Sequence, residues 1–166
     1  MARALLLLAI LLSTSGARAD DTCPAPELAP LIADLAAWIA DNSTLDTTGL
    51  ETMPPEVVFC APQDHIAYAG GELIVEKDLL AAYDLTARRI YLVEPWDIAD
   101  PLAIATLLHE LVHAAQFDSL EWDCQQAAEW QAYRLQAAWL GQQGIDPGFD
   151  WAAIALRSLC PSEVHP

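Results

Sequence analysis

The sequence predicts an α+β domain: one amphipathic helix, a block of short strands, then three more helices. Three observations carry that prediction. Apolar residues recur at helical spacing near the start, at Leu28, Leu31, Ile32, Leu35, Trp38 and Ile39. From Glu56 the period changes to short β-type runs broken by turn residues. After Pro95 the helical spacing returns and persists almost to the C-terminus.

The elements follow in order. Met1-Ala2-Arg3 gives a positive start, residues 4–12 are unbroken apolar, and Ala17-Arg18-Ala19 has the small-x-small pattern of a cleaved signal peptide. That apolar run falls short of the ~20 residues a spanning helix needs. The expectation is an exported chain, periplasmic or secreted, cut after Ala19 and with no membrane span in its mature form. Residues 20–166 then suit a single domain.

Within it, residues 26–40 form the first helix, ended by Asn42-Ser43-Thr44, and residues 45–55 form a loop marked by Gly49 and Pro54-Pro55. Residues 57–60 and 72–76 are strands separated by turn residues that include Gly70-Gly71. Residues 79–83 and 89–94 flank a hairpin loop at 84–88, so a small twisted sheet, antiparallel or mixed, is expected. Asp100-Pro101 opens a helix running to about Phe117, with Asp as cap and Pro in the first turn. A second begins near Trp122 or Asp123 and ends at Gly141 or Gly144. A third covers 149–159, before Pro161.

Four cysteines follow the signal peptide, Cys23, Cys60, Cys124 and Cys160, and none form a CxxC pair. An even number in an exported chain points to two disulfides. Three pairings are possible; Cys23–Cys60 with Cys124–Cys160 is favoured because each closes one half of the chain. The chain carries 24 acidic against 7 basic residues, a net charge of −17. Such a surface repels phosphate backbones and anionic lipid, so nucleic acid is excluded as a partner.

The chemistry concentrates in His109-Glu110-Leu111-Val112-His113, inside the most helical stretch. Spacing of i and i+4 stacks two imidazoles on one helix face, about 6 Å apart along the axis. Both can then reach one zinc ion, while Glu110 leaves the ligand line and can act as general base on a water. A catalytic zinc site has three protein ligands and one open position. The next helix offers Glu129 as the third, on a polar line with Gln125, Tyr133 and Gln136 that solvent exposure would equally explain. Gln116, three residues after His113, falls on the metal face, where it would touch substrate or the Glu129 helix. Tyr91 and Tyr83 lie on strands before the active helix, and either is a candidate oxyanion stabiliser. Glu121 and Asp123 read as helix-dipole partners, and His65 as a surface histidine.

His109 to His113, followed by Glu129 on the next helix, resembles the gluzincin group of zinc metallopeptidases. The stretch Glu129-Trp130-Gln131-Ala132-Tyr133 is similar to the E-x-x-A-D element of the prenyl-protease-like branch, with Tyr133 where that branch has aspartate. The resemblance covers roughly residues 83–140 and implies a zincin-like fold, one zinc per chain and a peptide or protein substrate. In those enzymes the aspartate supports a zinc-ligating histidine, a role Tyr133 would fill through its hydroxyl. The combination of signal peptide, HELVHAAQ and EWQAYRLQ also resembles short exported bacterial proteins of unknown function.

The expectation is therefore an exported zinc hydrolase, a peptidase by analogy, with Glu110 as base. Two rivals stand beside it. One is a non-catalytic zinc-binding or partner-binding module on the same fold. The other treats HExxH as accidental helix surface in a disulfide-braced structural protein. The substrate and the oligomeric state are not legible.

Overall fold

The computed structural model describes residues 27–161. The expected signal peptide, Cys23 and His165 lie outside them. The molecule is built around α3 (Pro101–Ser119). Its start is fixed as the sequence suggests: the Asp100 carboxylate accepts the Leu102 N–H at 2.9 Å, and Pro101 takes the first turn, where its missing donor costs nothing. From Leu107 to Gln116 every residue is buried. A helix enclosed on all sides has no polar face to show, which is why two histidines and a glutamate in it demand a chemical reason.

Three layers enclose α3. Ile32, Leu35 and Ile39 of α1 (Ala29–Asn42) share one apolar core with Leu107, Leu108 and Leu111. Ala132 and Leu135 of α4 (Glu129–Gln142) join from another side, and fully buried Ala114, Ala115 and Ala132 allow close approach of the two helices. Each buried leucine or isoleucine contributes about 1.5–3 kcal/mol relative to exposure.

The third layer is a three-stranded sheet in the order β1 (Glu56–Cys60), β5 (Arg89–Val93), β4 (Ala81–Asp84). β1 pairs with β5 in parallel and β4 with β5 antiparallel, so the sheet is mixed. Side chains alternate across a strand: Ile90 and Leu92 enter the α3 core, while Tyr91 and Val93 face a second, smaller core with Val58, Cys60, Ile66 and Val75.

That second core carries a separate hairpin, β2 (His65–Tyr68) with β3 (Gly71–Ile74). β2 is an addition to the sequence expectation, and Gly70-Gly71 spans the hairpin turn and the start of β3 rather than a boundary between unrelated strands. Residues 45–55 also differ, because they hold a short helix, α2 (Thr48–Thr52). The Asp46 carboxylate accepts the Thr48 N–H at 2.9 Å and Leu50 is buried against the core, tertiary features that periodicity does not report. The Glu129 helix starts later than expected. Cys124 is extended and disulfide-bonded to Cys160, Gln125–Ala128 form a 3-10 turn, and only then does α4 begin. α5 (Trp151–Arg157) closes the order, its first turn capped by Asp150. Cys60 is disulfide-bonded as well. No helix among the described residues is long and apolar enough to cross a membrane.

Candidate metal centre

His109 and His113 project from adjacent turns of α3 toward the first turn of α4, where Glu129 stands. The two Nε2 atoms are 3.0 Å apart. Glu129 places one carboxylate oxygen 3.3 Å from His109 Nε2 and the other 3.5 Å from His113 Nε2. Nitrogen and oxygen ligands at 2.0–2.1 Å in a tetrahedral array stand about 3.3 Å from one another. The carboxylate meets each imidazole through a different oxygen, and one ligand atom from each of the three residues lies within 4.8 Å of the others, close enough for a single small cation to draw them together.

The protonation pattern follows from the neighbours. Gln116, fully buried, donates its amide nitrogen to the Ala128 carbonyl at 3.0 Å and to Gln131 Oε1 at 2.9 Å. A carbonyl can only accept, so Oε1 of Gln116 is the atom that faces His113 Nδ1, at 2.9 Å. Nδ1 must then carry the proton, and the Nε2 lone pair of a neutral His113 points into the cluster. Gln136 Oε1 stands 3.1 Å from His109 Nδ1 and does the same for the second ring. Two lone pairs and a carboxylate converging in a mostly buried site repel one another unless a cation lies among them.

Without a cation, the charges around His113 favour a proton there. Burial alone would lower the His113 pKa, but the Glu129 hydrogen bond and the Glu110 and Glu129 charges raise it above the ordinary 6.5. Burial would raise Glu129, yet hydrogen bonds from both histidines hold it far below the ordinary carboxylate range. Glu110 is buried beside the cluster without joining the triangle. Its pKa is raised by burial, with the histidines and the Tyr83 backbone N–H pulling the other way.

A cleft of about 310 Å³ opens on the cluster, lined by His109, Glu110, His113 and Glu129 on one side and by β4 on the other. β4 is the edge of its sheet. The Val93 N–H bonds the Leu80 carbonyl, so with alternation Ala81 and Tyr83 turn their backbone groups away from β5 and toward the cleft. The Tyr83 carbonyl accepts the Tyr68 hydroxyl at 3.2 Å.

The sequence-predicted residues separate here. His109, His113 and Glu129 form the triangle, and Glu110 lies beside it. Tyr133 lines the cleft, its ring 4.6 Å from that of His109 in edge contact; the histidine Nδ1 atoms are held by glutamines instead, which corrects the role expected of its hydroxyl. Gln116 does not face substrate: it orients His113 and ties α3 to α4. Tyr91 is corrected outright, being 2% exposed with its hydroxyl bonded to the Ala67 carbonyl in the second core. Tyr83 is buried too, and its hydroxyl has no hydrogen-bond partner among the described residues. Tyr68, on the unexpected strand β2, also lines the cleft, with Tyr83 and Tyr133. Only recognition of the Ala69-Gly70 turn could have placed it there.

Fold and site define an α+β domain with a His–His–Glu cluster that could hold a metal ion, under a sheet edge. The chain belongs to the DUF6647 family, whose model, described as a domain of unknown function, matches residues 24–166. No curated protein and no solved structure matches the chain.

Proposed function

We propose that this protein is an exported zinc-dependent hydrolase of the gluzincin type, with a zincin-like fold, acting on peptide bonds. The observation that carries the proposal is the triangle itself. Two histidine Nε2 atoms, with their Nδ1 atoms held by glutamines, and a carboxylate converge closely enough to share one ion, with one side open to a cleft. The donor set of two imidazoles and one carboxylate suits zinc. Four protein ligands would mark a structural site, whereas three leave a position for chemistry.

When bound, zinc supplies Lewis acidity toward a carbonyl and makes water a nucleophile at neutral pH. The chain's own residues do the rest. Glu110 accepts the proton of the attacking water and passes it to the leaving amine. Its buried position suits this shuttle, because a carboxylate with a raised pKa is a stronger base. The outward backbone groups of Ala81 offer an extended peptide a place to pair with β4, and Tyr68 and Tyr133 line the cleft beside the cluster.

The test is metal analysis beside two substitutions. One zinc per chain is expected in the mature protein and none in His113→Ala. Glu110→Gln is expected to keep its zinc and to lose about 10²–10⁴ of turnover on a peptide library, the range a general base supplies. Undiminished zinc in His113→Ala would sink the ligand assignment. Equal cleavage by wild type and Glu110→Gln would sink the mechanism. Zinc retained without cleavage by either protein would favour the non-catalytic binding module.

A further inference from the structure

The cleft has two arms that differ in charge. His109, Glu110 and Tyr133 line both, so the arms meet at the cluster. The arm of about 310 Å³ contains no lysine or arginine. The other, about 520 Å³, runs between Leu79-Leu80 and α5 and is walled by Phe149, Ala153 and Ile154. Among the described residues it holds the only lysine or arginine of either arm, Arg157.

Arg157 is one of two arginines of so acidic a chain that stand unpaired among the described residues; the other, Arg134, lines neither arm. Arg88 is bound to Asp118 and Arg89 to Glu56, whereas Arg157 has no ion pair or hydrogen bond among the described residues. Its charge reaches Tyr133 at the cluster. Besides Glu110, two acids share the arm. Asp150 is engaged as the α5 cap, accepting the Ala152 and Ala153 N–H groups at 3.1 and 3.0 Å, and Asp78 stands on the opposite wall's loop. Placement at the C-terminal end of α5 complements that helix's dipole, but a dipole partner has no need to line the cleft.

Of the two pairings an edge strand can make, the antiparallel one is the more stable per residue, and it sets a direction. β4 runs from Ala81 toward Asp84, with residues 78–81 bordering the Arg157 arm and 81–86 the other. A peptide pairing antiparallel to β4 therefore leads with its N-terminal part through the first arm and sends its C-terminal part toward Arg157. We infer that Arg157 is a specificity residue that binds a substrate carboxylate on the C-terminal side of the bond held at the cluster. This rests on the function proposed above for the identity of that bond, and not for the binding itself. The shared chemistry is a carboxylate on a guanidinium, supplied by the peptide's C-terminus or by an acidic side chain.

The experiment uses zinc-loaded Glu110→Gln mature protein and calorimetric titration. The probes are random hexapeptides ending in a free carboxylate, the same peptides ending in an amide, and amidated peptides with one glutamate near the C-terminus. Either carboxylate class is expected to bind about tenfold or more tighter than the plain amides, since a charge-assisted bond is gained. The class that gains names the source. Adding Arg157→Ala should erase the preference, Arg157→Lys should keep part of it, and Arg157→Glu should reverse it. A preference that survives Arg157→Ala, or amides that bind as tightly as acids, overturns the inference. Cleavage by the Glu110-intact protein separates the two proposals. Arg157-dependent binding without cleavage leaves this inference standing while the hydrolase fails; cleavage indifferent to Arg157 does the reverse.

Discussion

The orientation of His113 traces to one buried amide. Gln116 spends its oxygen on His113 Nδ1 and its nitrogen on the Ala128 carbonyl and Gln131, so it sets the histidine tautomer and the α3–α4 spacing together. Gln116→Leu keeps the bulk but orphans a buried N–H and a buried carbonyl. Such orphaning costs about 1–3 kcal/mol, and losing a ligand's supporting partner typically lowers metal affinity 10–100-fold. Chelator competition should show that loss for Gln116→Leu; zinc binding equal to wild type would remove Gln116 from the site. The cluster also dictates a pH response. In the stripped protein His113's pKa is raised above 6.5, so its contribution to stability is complete below 6.5 and fades as pH climbs through the raised value. Glu129's is lowered from 4.5, so its contribution is present above 4.5 and fades as pH falls through the lowered value. Between those limits the cluster holds a proton that a metal must displace. Zinc affinity should therefore fall as pH is lowered through the raised His113 value, with proton release visible as a buffer-dependent binding enthalpy. An affinity flat across that range would contradict the arrangement.

At the scale of elements, the β2–β3 hairpin delivers Tyr68 to the cleft through a two-residue turn. Ala69 and Gly70 both have positive φ, +50° and +78°, the geometry of a type I′ turn that suits the right-handed twist of the strands. Glycine adopts it freely, whereas alanine sits there at a cost, held by its N–H bond to the buried Asp84 carboxylate at 2.9 Å. Ala69→Asn, which tolerates that region, should stabilise the protein by about 1 kcal/mol in denaturant unfolding with disulfides intact; a destabilised variant would mean the turn is set by something else. The same turn marks where the sequence ceased to be legible. Helices α1 and α3 announced themselves through apolar spacing and, for α3, Asp100-Pro101. The pairing of His109 with His113 was legible because i, i+4 histidines need only a helix to be brought together. β2 was missed because its four residues, His-Ile-Ala-Tyr, carry one buried apolar position and no period. Tyr91 was misplaced because strand alternation fixes that neighbours face opposite sides but not which side is the cleft. Gln116 and Gln136 lay on the right helices, yet which atom each would touch depended on packing that no single helix contains.

At the scale of the whole molecule, two distant constraints act on the same segment. The Cys124–Cys160 disulfide spans 36 positions that include all of α4 and α5, and hence Glu129 and Arg157. In chain-entropy terms a closed loop of that size is worth about 3–4 kcal/mol, by restricting the unfolded chain. A metal held by Glu129 and the two α3 histidines would pin the same segment from within. Bound only by the folded state, zinc adds about 4 kcal/mol at a free concentration a thousand times its dissociation constant. The two effects are coupled, because the 3-10 turn between Cys124 and Glu129 is all that separates the disulfide from the ligand. The Cys124→Ser/Cys160→Ser protein should lose about 3–4 kcal/mol in its zinc-free form. It should also bind zinc more weakly, since part of the binding free energy then goes into ordering α4. Paired denaturation curves with chelator and with excess zinc, on both proteins, measure each contribution. If zinc stabilises both proteins equally at every concentration, α4 is ordered without the disulfide and the two constraints are independent.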